Sequence, residues 1–270
     1  RQRQMCIRDR LLAKTGVQVW GYAVDRNAFA GFEKFGKRLH AIFSNGTRFK
    51  EYGYQGVFEW QDHSRTEVSV PVVGDFNLSN CLAVWACLLA SGMDVIEAGK
   101  RIALLKPVSG RMEMVLGNSR SIGPLVIVDY AHTPDALEKV LNTLRPITTQ
   151  RAGKLWCIFG CGGDRDTSKR PLMGRIAAEL ADHTILTSDN PRSENPEKIS
   201  ADIQAGMGNC KSVEVILDRA AAILSGVRHA EANDVVLIAG KGHETSQEIN
   251  GKKVDFSDQE HVLLASGGSV

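Results

Sequence analysis

Three loops that are rich in glycine and charged side chains each follow a short apolar segment of the chain. Their sequences are GCGGDRD (160–166), SDNPR (188–192) and GKGHE (240–244). In open α/β sheets, ligands bind beyond the carboxyl ends of the strands, so we expect these loops to share one site. Cations pair with carboxylates and acids pair with ammonium groups, so this mixture suits a zwitterionic ligand.

Arg192 is the residue in these loops with the most specific chemistry. Its guanidinium is a planar fork that matches a carboxylate with two parallel hydrogen bonds. Asn190 can accept from an ammonium or donate to a carboxylate, and Glu244 offers a negative charge to an amine. The alternative is that Arg192 only pairs with Asp189 or Glu194 on the surface.

The glycines at 160–163 allow two interpretations. They permit positive φ angles and close approach of the backbone, which would form an anion-binding nest, or they make a tight strand-to-helix turn. No dinucleotide fingerprint and no Walker phosphate loop occurs in the sequence, and Gly240-Lys241 lacks the remaining Walker residues. Cys157 and Cys161 are expected to be core and turn residues rather than ligands.

The segment Asp129–Pro134 also follows an apolar run. Asp129 could bind a ribose hydroxyl or order a cation, and His132 could contact a phosphate or a base. The alternative is that Asp129 is the N-cap of the next helix.

Strands and helices alternate through the second part of the chain, which predicts a doubly wound, mostly parallel sheet. Residues 247–255, with Asn250-Gly251 as the turn, predict a hairpin, and Asp258 is predicted to cap the last helix. The predicted strands are 125–130, 154–160, 183–188, 212–217 and 234–240.

Short β-type segments fill the first part of the chain, at 17–24, 38–44, 56–61 and 66–74. Apolar residues recur at helical spacing after Gly74 and again after Asp94, which predicts two helices, and Pro107 ends the second one. Residues 106–111 are the predicted linker between two domains.

The composition is that of a globular protein of about two domains, with 270 residues and a formal net charge of +2. We expect no nucleic-acid partner because there is no basic stripe, and no membrane partner because there is no long apolar run. The six cysteines lack zinc-site spacing and indicate reduced thiols, hence a cytoplasmic location, and we expect a monomer. Residues 1–10 contain four arginines and resemble translated adapter sequence, so we predict that they are non-native; a genuine basic linker or helix end is the alternative.

Several long motifs occur in one order and carry a family resemblance. The chain resembles the Mur ligase family, and within it the ligases that add diaminopimelate, over residues 11–265. The motifs are GDFNLSN (74–80), SGRME (109–113), VDYAHTPDALEKVL (128–141), FGCGGDRDTSKRPLMG (159–174), TSDNPRSENP (187–196) and AGKGHE (239–244).

The resemblance implies a domain organisation. Residues 11–109 would be the second half of the central ATPase α/β domain, and residues 110–270 the Rossmann-like C-terminal domain that brings the amino acid. The UDP-sugar-binding domain and the phosphate loop of the family have no counterpart in this sequence.

The resemblance also implies the site residues. The pattern at 189–192 is associated with diaminopimelate rather than lysine, and a site that binds the extra carboxylate would reject lysine by about 10⁴-fold. The positions that match diaminopimelate contacts are Arg165, Asp189, Asn190, Pro191, Arg192, Gly240 and Glu244.

For ATP, the resemblance implies contacts from Asn77, Asn80, Arg111 and Asp129, and catalytic roles for Arg111, Asp129 and His132. ATP and Mg²⁺ are the implied cofactors, and the main Mg²⁺ ligands are expected outside this sequence, so no residue here is assigned to the metal.

The implied reaction is the ATP-dependent addition of meso-diaminopimelate to UDP-N-acetylmuramoyl-L-alanyl-D-glutamate through an acyl-phosphate, in peptidoglycan precursor synthesis. Without the phosphate loop, this chain is expected to be inactive alone. The alternatives are a ligase of the same family that takes L-lysine, a Rossmann-type oxidoreductase domain, and a folylpolyglutamate or cyanophycin synthetase.

Overall fold

The chain folds into two compact units that divide between Lys106 and Pro107. Residues 1–10, predicted to be non-native, lie outside the described residues, and the assignment of 11–109 and 110–270 to two ligase domains remains a prediction. The computed structural model describes residues 18–29, 39–50, 52–115, 123–210 and 212–267.

The first unit contains a four-stranded mixed sheet in the order β1-β2-β3-β4. The β1 and β2 strands are parallel, while β2–β3 and β3–β4 are antiparallel. A bulge between Asn45 and Arg48 shifts the β2–β3 register. The strands are β1 (Val19–Ala23), β2 (Leu39–Lys50), β3 (Gly53–Trp60) and β4 (Arg65–Val70), and a short 3₁₀ helix (Arg26–Phe29) follows β1.

Two helices complete the described part of this unit, α1 (Asp75–Ala90) and α2 (Val95–Ala103). The Asp94 carboxylate caps α2 by accepting from the backbone N–H of Ile96 at 2.9 Å, as the sequence predicted. Trp85 of α1 is fully buried and its ring centroid lies 5.6 Å from that of Phe58, so α1 packs on the sheet through its apolar face.

The second unit is built on a six-stranded sheet in the order β5-β6-β10-β7-β8-β9. Only β5 is antiparallel to its neighbour among these described strands. The strands are β5 (Glu113–Val115), β6 (Leu125–Asp129), β7 (Leu155–Phe159), β8 (His183–Leu186), β9 (Val213–Val215) and β10 (Val235–Ala239).

The helices of this unit lie in two groups, which makes the sheet doubly wound, as predicted. The connections from β6 to β9 advance across the sheet, and the connection from β9 to β10 returns, so right-handed crossovers place its helix on the opposite face. The first group is α3 (Pro134–Gln150), α4 (Lys169–Leu180) and α5 (Pro196–Gln204), and the second is α6 (Arg219–His229) and α7 (Asp258–Ala265).

The central strands β6 and β10 are buried along their whole length. Both faces of the sheet are covered by helices, which explains why these segments are continuous apolar runs without polar alternation. Cys157 and Cys161 are buried, which agrees with their predicted place in the core and the turn.

The hairpin of β11 (Ser246–Ile249) and β12 (Lys252–Asp255) forms where it was predicted, with positive φ at Asn250 and Gly251. The predicted cap of the last helix was wrong by one residue. Ser257 caps α7 by accepting from the backbone N–H of Glu260, and Asp258 is instead fully buried. Both residue types are good N-caps by local propensity, which contains no information on the buried Arg219 that pairs with Asp258.

Candidate active site

The predicted amino-acid-binding residues gather at the carboxyl edge of the second unit's sheet. The β10 strand lies between β6 and β7, and β7 pairs with β8. The loops that follow β7, β8 and β10 are therefore neighbours, although residues that bond between them are up to 54 positions apart in sequence.

The glycines after β7 allow two loops to pack backbone to backbone. A Cβ on Gly160 would lie 2.0 Å from the carbonyl oxygen of Thr187, and one on Gly163 would lie 2.0 Å from that of Pro191. The Gly163 N–H also donates to the Asn190 carbonyl at 2.9 Å. Positive φ occurs at Asp164 rather than at these glycines, so close approach is the role that the structure shows for them, and the anion-nest interpretation stays a prediction.

A buried lysine forms the centre of a polar cluster above β8 and β10. The Lys241 ammonium donates to Glu244 Oε2 at 3.0 Å and to Asn190 Oδ1 at 3.1 Å, and it lies 3.9 Å from Asp189 Oδ1. Asn190 Nδ2 in turn donates to Glu244 Oε2 at 3.0 Å. The structure thus brings together three of the predicted substrate-contacting residues around a cation that the sequence analysis did not select.

The pKa values of the two acids in this cluster are shifted in opposite directions. Burial raises the pKa of Asp189 above its usual range, and the nearby Arg219 and Lys241 cations only partly offset this effect. Burial also acts to raise the pKa of Glu244, but hydrogen bonds from Asn190 and Lys241 outweigh it and leave that pKa below its usual value. Glu244, which is 34% exposed, is therefore the more readily ionised of the two acids and the one that a ligand ammonium would meet.

Arg192 is held at the same edge by two loops. Its Nη1 donates to the Gly163 carbonyl at 2.7 Å, and its Nε lies 3.4 Å from Glu248 Oε2. The Arg192 backbone, with φ of 52°, also bonds to the hairpin. The proposed alternative partners, Asp189 and Glu194, are not its ion-pair partners, because Glu194 pairs with Arg170 and Asp189 faces Lys241.

The remaining predicted contacts lie next to these groups. A Cβ on Gly162 would lie 3.0 Å from Arg192 Nη1 and 3.9 Å from Arg165 Cγ, which places both arginines beside one glycine. Within the described residues, the exposed Arg165 guanidinium has no hydrogen bond or ion pair. Pro191 is buried, and a Cβ on Gly240 would lie 2.7 Å from Asp189 Oδ2.

Two buried arginines that were not predicted from the sequence bind the backbone and side chains next to these loops. Arg219 forms a bidentate pair with Asp258, with bonds of 2.7 and 2.8 Å, and donates to the carbonyl of Ala239 at the end of β10. Arg170 bonds to Glu194 and to Asp202, each at 2.9 Å. Arg170 and Arg219 lie in the first turns of α4 and α6, and a charged residue on the buried face of a helix is the signal that could have found them.

The residues predicted to act on ATP from the second unit also lie together. Arg111 lies over the Tyr130 ring, 4.9 Å from its centroid, and His132 contacts the same ring edge-on at 4.6 Å. Both Asp129 oxygens are occupied, because they accept from the backbone N–H groups of Met112 and Ala131 at 2.8 Å. Asp129 therefore ties the segment before β5 to the end of β6.

The role of Asp129 as a helix N-cap is excluded, because Thr133 caps α3. Burial raises the pKa of Asp129, although the two backbone N–H groups and the charge of Arg111 act against that rise. Its predicted contact with ATP stays a prediction.

Asn77 and Asn80 lie one turn apart in α1 of the first unit. Asn77 Nδ2 donates to the Val73 carbonyl at 2.9 Å, and Asn80 Nδ2 lies 3.5 Å from Asn77 Oδ1. The two amides thus share one side of the helix start, and their predicted contact with adenine stays a prediction.

The described part of the chain contains no group of three or more metal-binding side chains. Nor does any helix within the described ranges have the length and apolarity needed to cross a membrane.

Comparison with known proteins shows which family this chain resembles. The family described as "Mur ligase, glutamate ligase domain" matches residues 110–242. The UDP-N-acetylmuramoyl-L-alanyl-D-glutamate–2,6-diaminopimelate ligase of Ralstonia nicotianae is 51% identical over 262 residues, which cover 95% of this chain and 49% of that protein. The ligase of the same name from an Acidovorax species is 51% identical over 77% of this chain and 41% of its own.

Solved structures give the same result. A structure of a ligase with that name superimposes with a TM-score of 0.70 at 33% identity, covering 96% of this chain and 55% of its own. A folylpolyglutamate synthase from Thermotoga maritima, at 19% identity and a TM-score of 0.57, shares the fold. The chain spans about half the length of the curated relatives that it matches.

Proposed function

This chain belongs to the Mur ligase family, and we propose that it carries the amino-acid-binding part of an ATP-dependent ligase. The proposed reaction joins meso-diaminopimelate to UDP-N-acetylmuramoyl-L-alanyl-D-glutamate during the synthesis of a peptidoglycan precursor. The relatives that are about 50% identical carry the name of this activity. Residues 110–270 would form the amino-acid-binding domain, and residues 11–109 the second half of the ATPase domain.

The observation that carries the proposal is the meeting of opposite charges at one sheet edge. Glu244 and Asp189 lie on one side, around Lys241. Arg192 and Arg165 lie beside Gly162. A zwitterionic carbon centre presents an ammonium and a carboxylate a few ångströms apart, so it matches this division of charge.

Diaminopimelate fits this arrangement better than L-lysine. The two amino acids differ by one carboxylate at the distal end, and Arg192 is the cation that we propose receives it. Its Nη1 and Nε already have protein partners, so the guanidinium is held in one orientation before the ligand arrives. Preorganisation of this kind lowers the entropy lost on binding.

In the proposed reaction, the free amine of diaminopimelate attacks an acyl-phosphate and inorganic phosphate leaves. The residues described here bind and orient the amino acid. Positioning of the reactants by itself can lower the reaction barrier substantially. Arg111, exposed above the Tyr130 ring, is proposed to stabilise charge on the transferred phosphoryl group, and His132, which contacts the same ring, is proposed to contact that group too.

Mur ligases are ATP-dependent and use Mg²⁺ in general. The side chains described here supply no cluster that fits Mg²⁺, and both oxygens of the buried Asp129 are already bonded to the backbone. We therefore assign no metal ligand to these residues and propose that the metal and the ATP phosphates are held by other parts of the ligase. Asn77, Asn80, Arg111 and Asp129 are the proposed ATP-side residues of this chain.

The proposed location is the cytoplasm. The proposed state is a monomer that acts on small molecules. We propose neither a nucleic-acid nor a membrane partner. The five cysteines that the described residues contain are all free thiols, which supports a reducing compartment.

The test is ligand binding by the 270-residue chain. Isothermal titration with meso-diaminopimelate and with L-lysine should show a clear preference for meso-diaminopimelate. Arg192→Ala should weaken meso-diaminopimelate binding by about 10- to 100-fold, because it removes charge-assisted hydrogen bonds worth about 1.5–3 kcal/mol. L-lysine binding should change little.

Arg175→Ala is the matched control, because that arginine is 61% exposed on α4 and, among the described residues, its one ion-pair partner is Glu179. This variant should bind both amino acids as the wild type does. Equal binding of meso-diaminopimelate by the wild type and Arg192→Ala would refute the role of Arg192. A wild-type preference for L-lysine would favour the lysine-adding alternative.

A further inference from the structure

Lys241 has no exposed side-chain surface, yet its ammonium lies at the centre of the proposed amino-acid pocket. The residue is flanked by Gly240 and Gly242, whose φ angles are 118° and 54°. These left-handed conformations favour glycine and turn the chain so that the lysine side chain points inward. A covered ammonium is in no position to touch a ligand, so any effect that it has must pass through the residues it holds.

The groups that surround Lys241 leave the pocket with one surplus negative charge. Asp189 and Glu244 are the two acids that face it. Arg219 also faces Asp189, but Asp258 neutralises it at 2.7 Å. Two acids face a single lysine, so the formal charges of the cluster leave one negative charge that a ligand ammonium would match.

Lys241 also fixes the direction of the polar atoms. Its ammonium and the Glu248 backbone N–H both donate to Asn190 Oδ1, at 3.1 and 2.9 Å. That arrangement orients the Asn190 amide so that its Nδ2 donates to Glu244. The Glu244 carboxylate is thus held by two donors.

We propose that Lys241 is a specificity-determining positioning residue, whose buried charge makes the pocket select a zwitterionic end over a bare ammonium. This inference rests on the proposed function of the same site. With Lys241 present, one ammonium group of the ligand matches the surplus negative charge of Asp189 and Glu244. The ligand carboxylate is then free to pair with Arg192. Without Lys241, the pocket gains a second surplus negative charge, which attracts an ammonium but repels the neighbouring carboxylate.

L-lysine is the probe that separates these effects, because it offers the ammonium without the distal carboxylate. In Lys241→Met, which removes the charge and keeps an unbranched side chain of nearly the same length, the ratio of meso-diaminopimelate affinity to L-lysine affinity should fall about tenfold. A purely structural loss would weaken both ligands in proportion and leave the ratio unchanged. Isothermal titration of both ligands against the 270-residue chain measures the ratio.

Lys139→Met is the matched control, because Lys139 is 73% exposed on α3 and, within the described part of the chain, pairs with Asp135 alone. It should keep the wild-type ratio. Should Lys241→Met not fold, Lys241→Gln retains hydrogen-bond donors without the charge and should show the same fall in the ratio.

A second measurement does not depend on either ligand. Lys241 is one of the two donors that hold the pKa of Glu244 low, so a ¹³C titration of the Glu244 carboxyl should give a higher pKa in the variant than in the wild type. An unchanged pKa, or a wild-type pKa at the ordinary glutamate value, would overturn the inference. If the wild type prefers meso-diaminopimelate and Lys241→Met keeps that preference, the inference fails; if the wild type shows no preference, the proposed function fails.

Discussion

At the scale of single residues, the proposed site depends on side chains that already have protein partners. Arg192 is held by Gly163 and Glu248, and Glu244 is held by Asn190 and Lys241. Such contacts reduce the number of orientations available to each group before a ligand binds. The site is therefore a set of fixed charges rather than a set of mobile ones.

Glu244 should contribute to stability in a pH-dependent way. Its pKa in the folded chain lies below the usual value because the hydrogen bonds from Asn190 and Lys241 outweigh the effect of burial. A lowered pKa means that its contribution is present above the unfolded-state pKa of about 4.3 and is lost as the pH falls through the folded-state pKa. Glu244→Gln should therefore reduce the loss of stability between pH 7 and about pH 3, a window that extends below the unfolded-state pKa.

Urea unfolding of the wild type and the variant at both pH values measures this difference. Glu179→Gln serves as the control, since Glu179 is 63% exposed and its ion pair with Arg175 is 4.0 Å long. Identical pH dependence in the wild type and Glu244→Gln would contradict the interpretation.

At the scale of elements, the β11–β12 hairpin positions the proposed specificity residue. The Arg192 N–H donates to the Glu248 carbonyl at 3.1 Å, and the Asn250 N–H donates to the Arg192 carbonyl at 2.7 Å. The segment at Arg192 thus pairs with β11 as a short parallel bridge with Ile249. These backbone hydrogen bonds consequently couple the loop after β8 to the β11 strand and the hairpin turn.

Gly251→Val should disturb this coupling. Gly251 has a φ of 72°, which a β-branched residue adopts only at a cost of about 1–3 kcal/mol. We expect lower stability together with weaker binding of meso-diaminopimelate, because the distorted turn displaces Asn250 and Glu248 and, through them, Arg192.

Gly208→Val provides a matched control, since Gly208 has a φ of 58° and open space around it. Its stability should fall by a similar amount while its meso-diaminopimelate affinity, measured by titration calorimetry, stays at the wild-type value. Equal affinity of the two variants would argue against the hairpin's role.

At the scale of the whole second unit, the Arg219–Asp258 pair joins parts of the fold that are far apart in sequence. Both side chains are fully buried. Arg219 at the start of α6 bonds to Asp258 at the start of α7, and to the carbonyls of Ala239 and Ser188 at the ends of two strands. The pair therefore connects two helices to the sheet directly below the proposed pocket.

Breaking this pair on one side should be severe. Arg219→Met leaves Asp258 buried without a counter-charge, which costs about 3–5 kcal/mol. The double variant Arg219→Met/Asp258→Leu should recover a large part of this loss, because no uncompensated charge remains. Amide hydrogen exchange of Val235–Ala239 in β10 reports the stability of this unit without assuming that the two units unfold together.

The control is Lys139→Met, which removes a surface pair that is 73% and 76% exposed and should change stability by less than about 1 kcal/mol. A double variant as unstable as Arg219→Met would show that buried charge is not the cause of the loss.

The sequence by itself determined the fold class of the second unit and the residue types of its pocket. Apolar runs, helical spacing and turn residues such as Asn250-Gly251 are local signals, because each depends on neighbours along the chain. The charged loops after 154–160, 183–188 and 234–240 could be found for the same reason, since they directly follow such runs. Their residue types then indicated a zwitterionic ligand.

Only the tertiary structure decided which of these groups meet. The insertion of β10 between β6 and β7 brings Lys241 to Asn190 across 51 positions, and the buried pair of Arg219 and Asp258 spans 39. Partners at such separations are chosen by the packing of the sheet and not by any local propensity, which is why Asp258 was mistaken for a helix cap. The physical reason is that a buried charge needs a counter-charge wherever the fold places one.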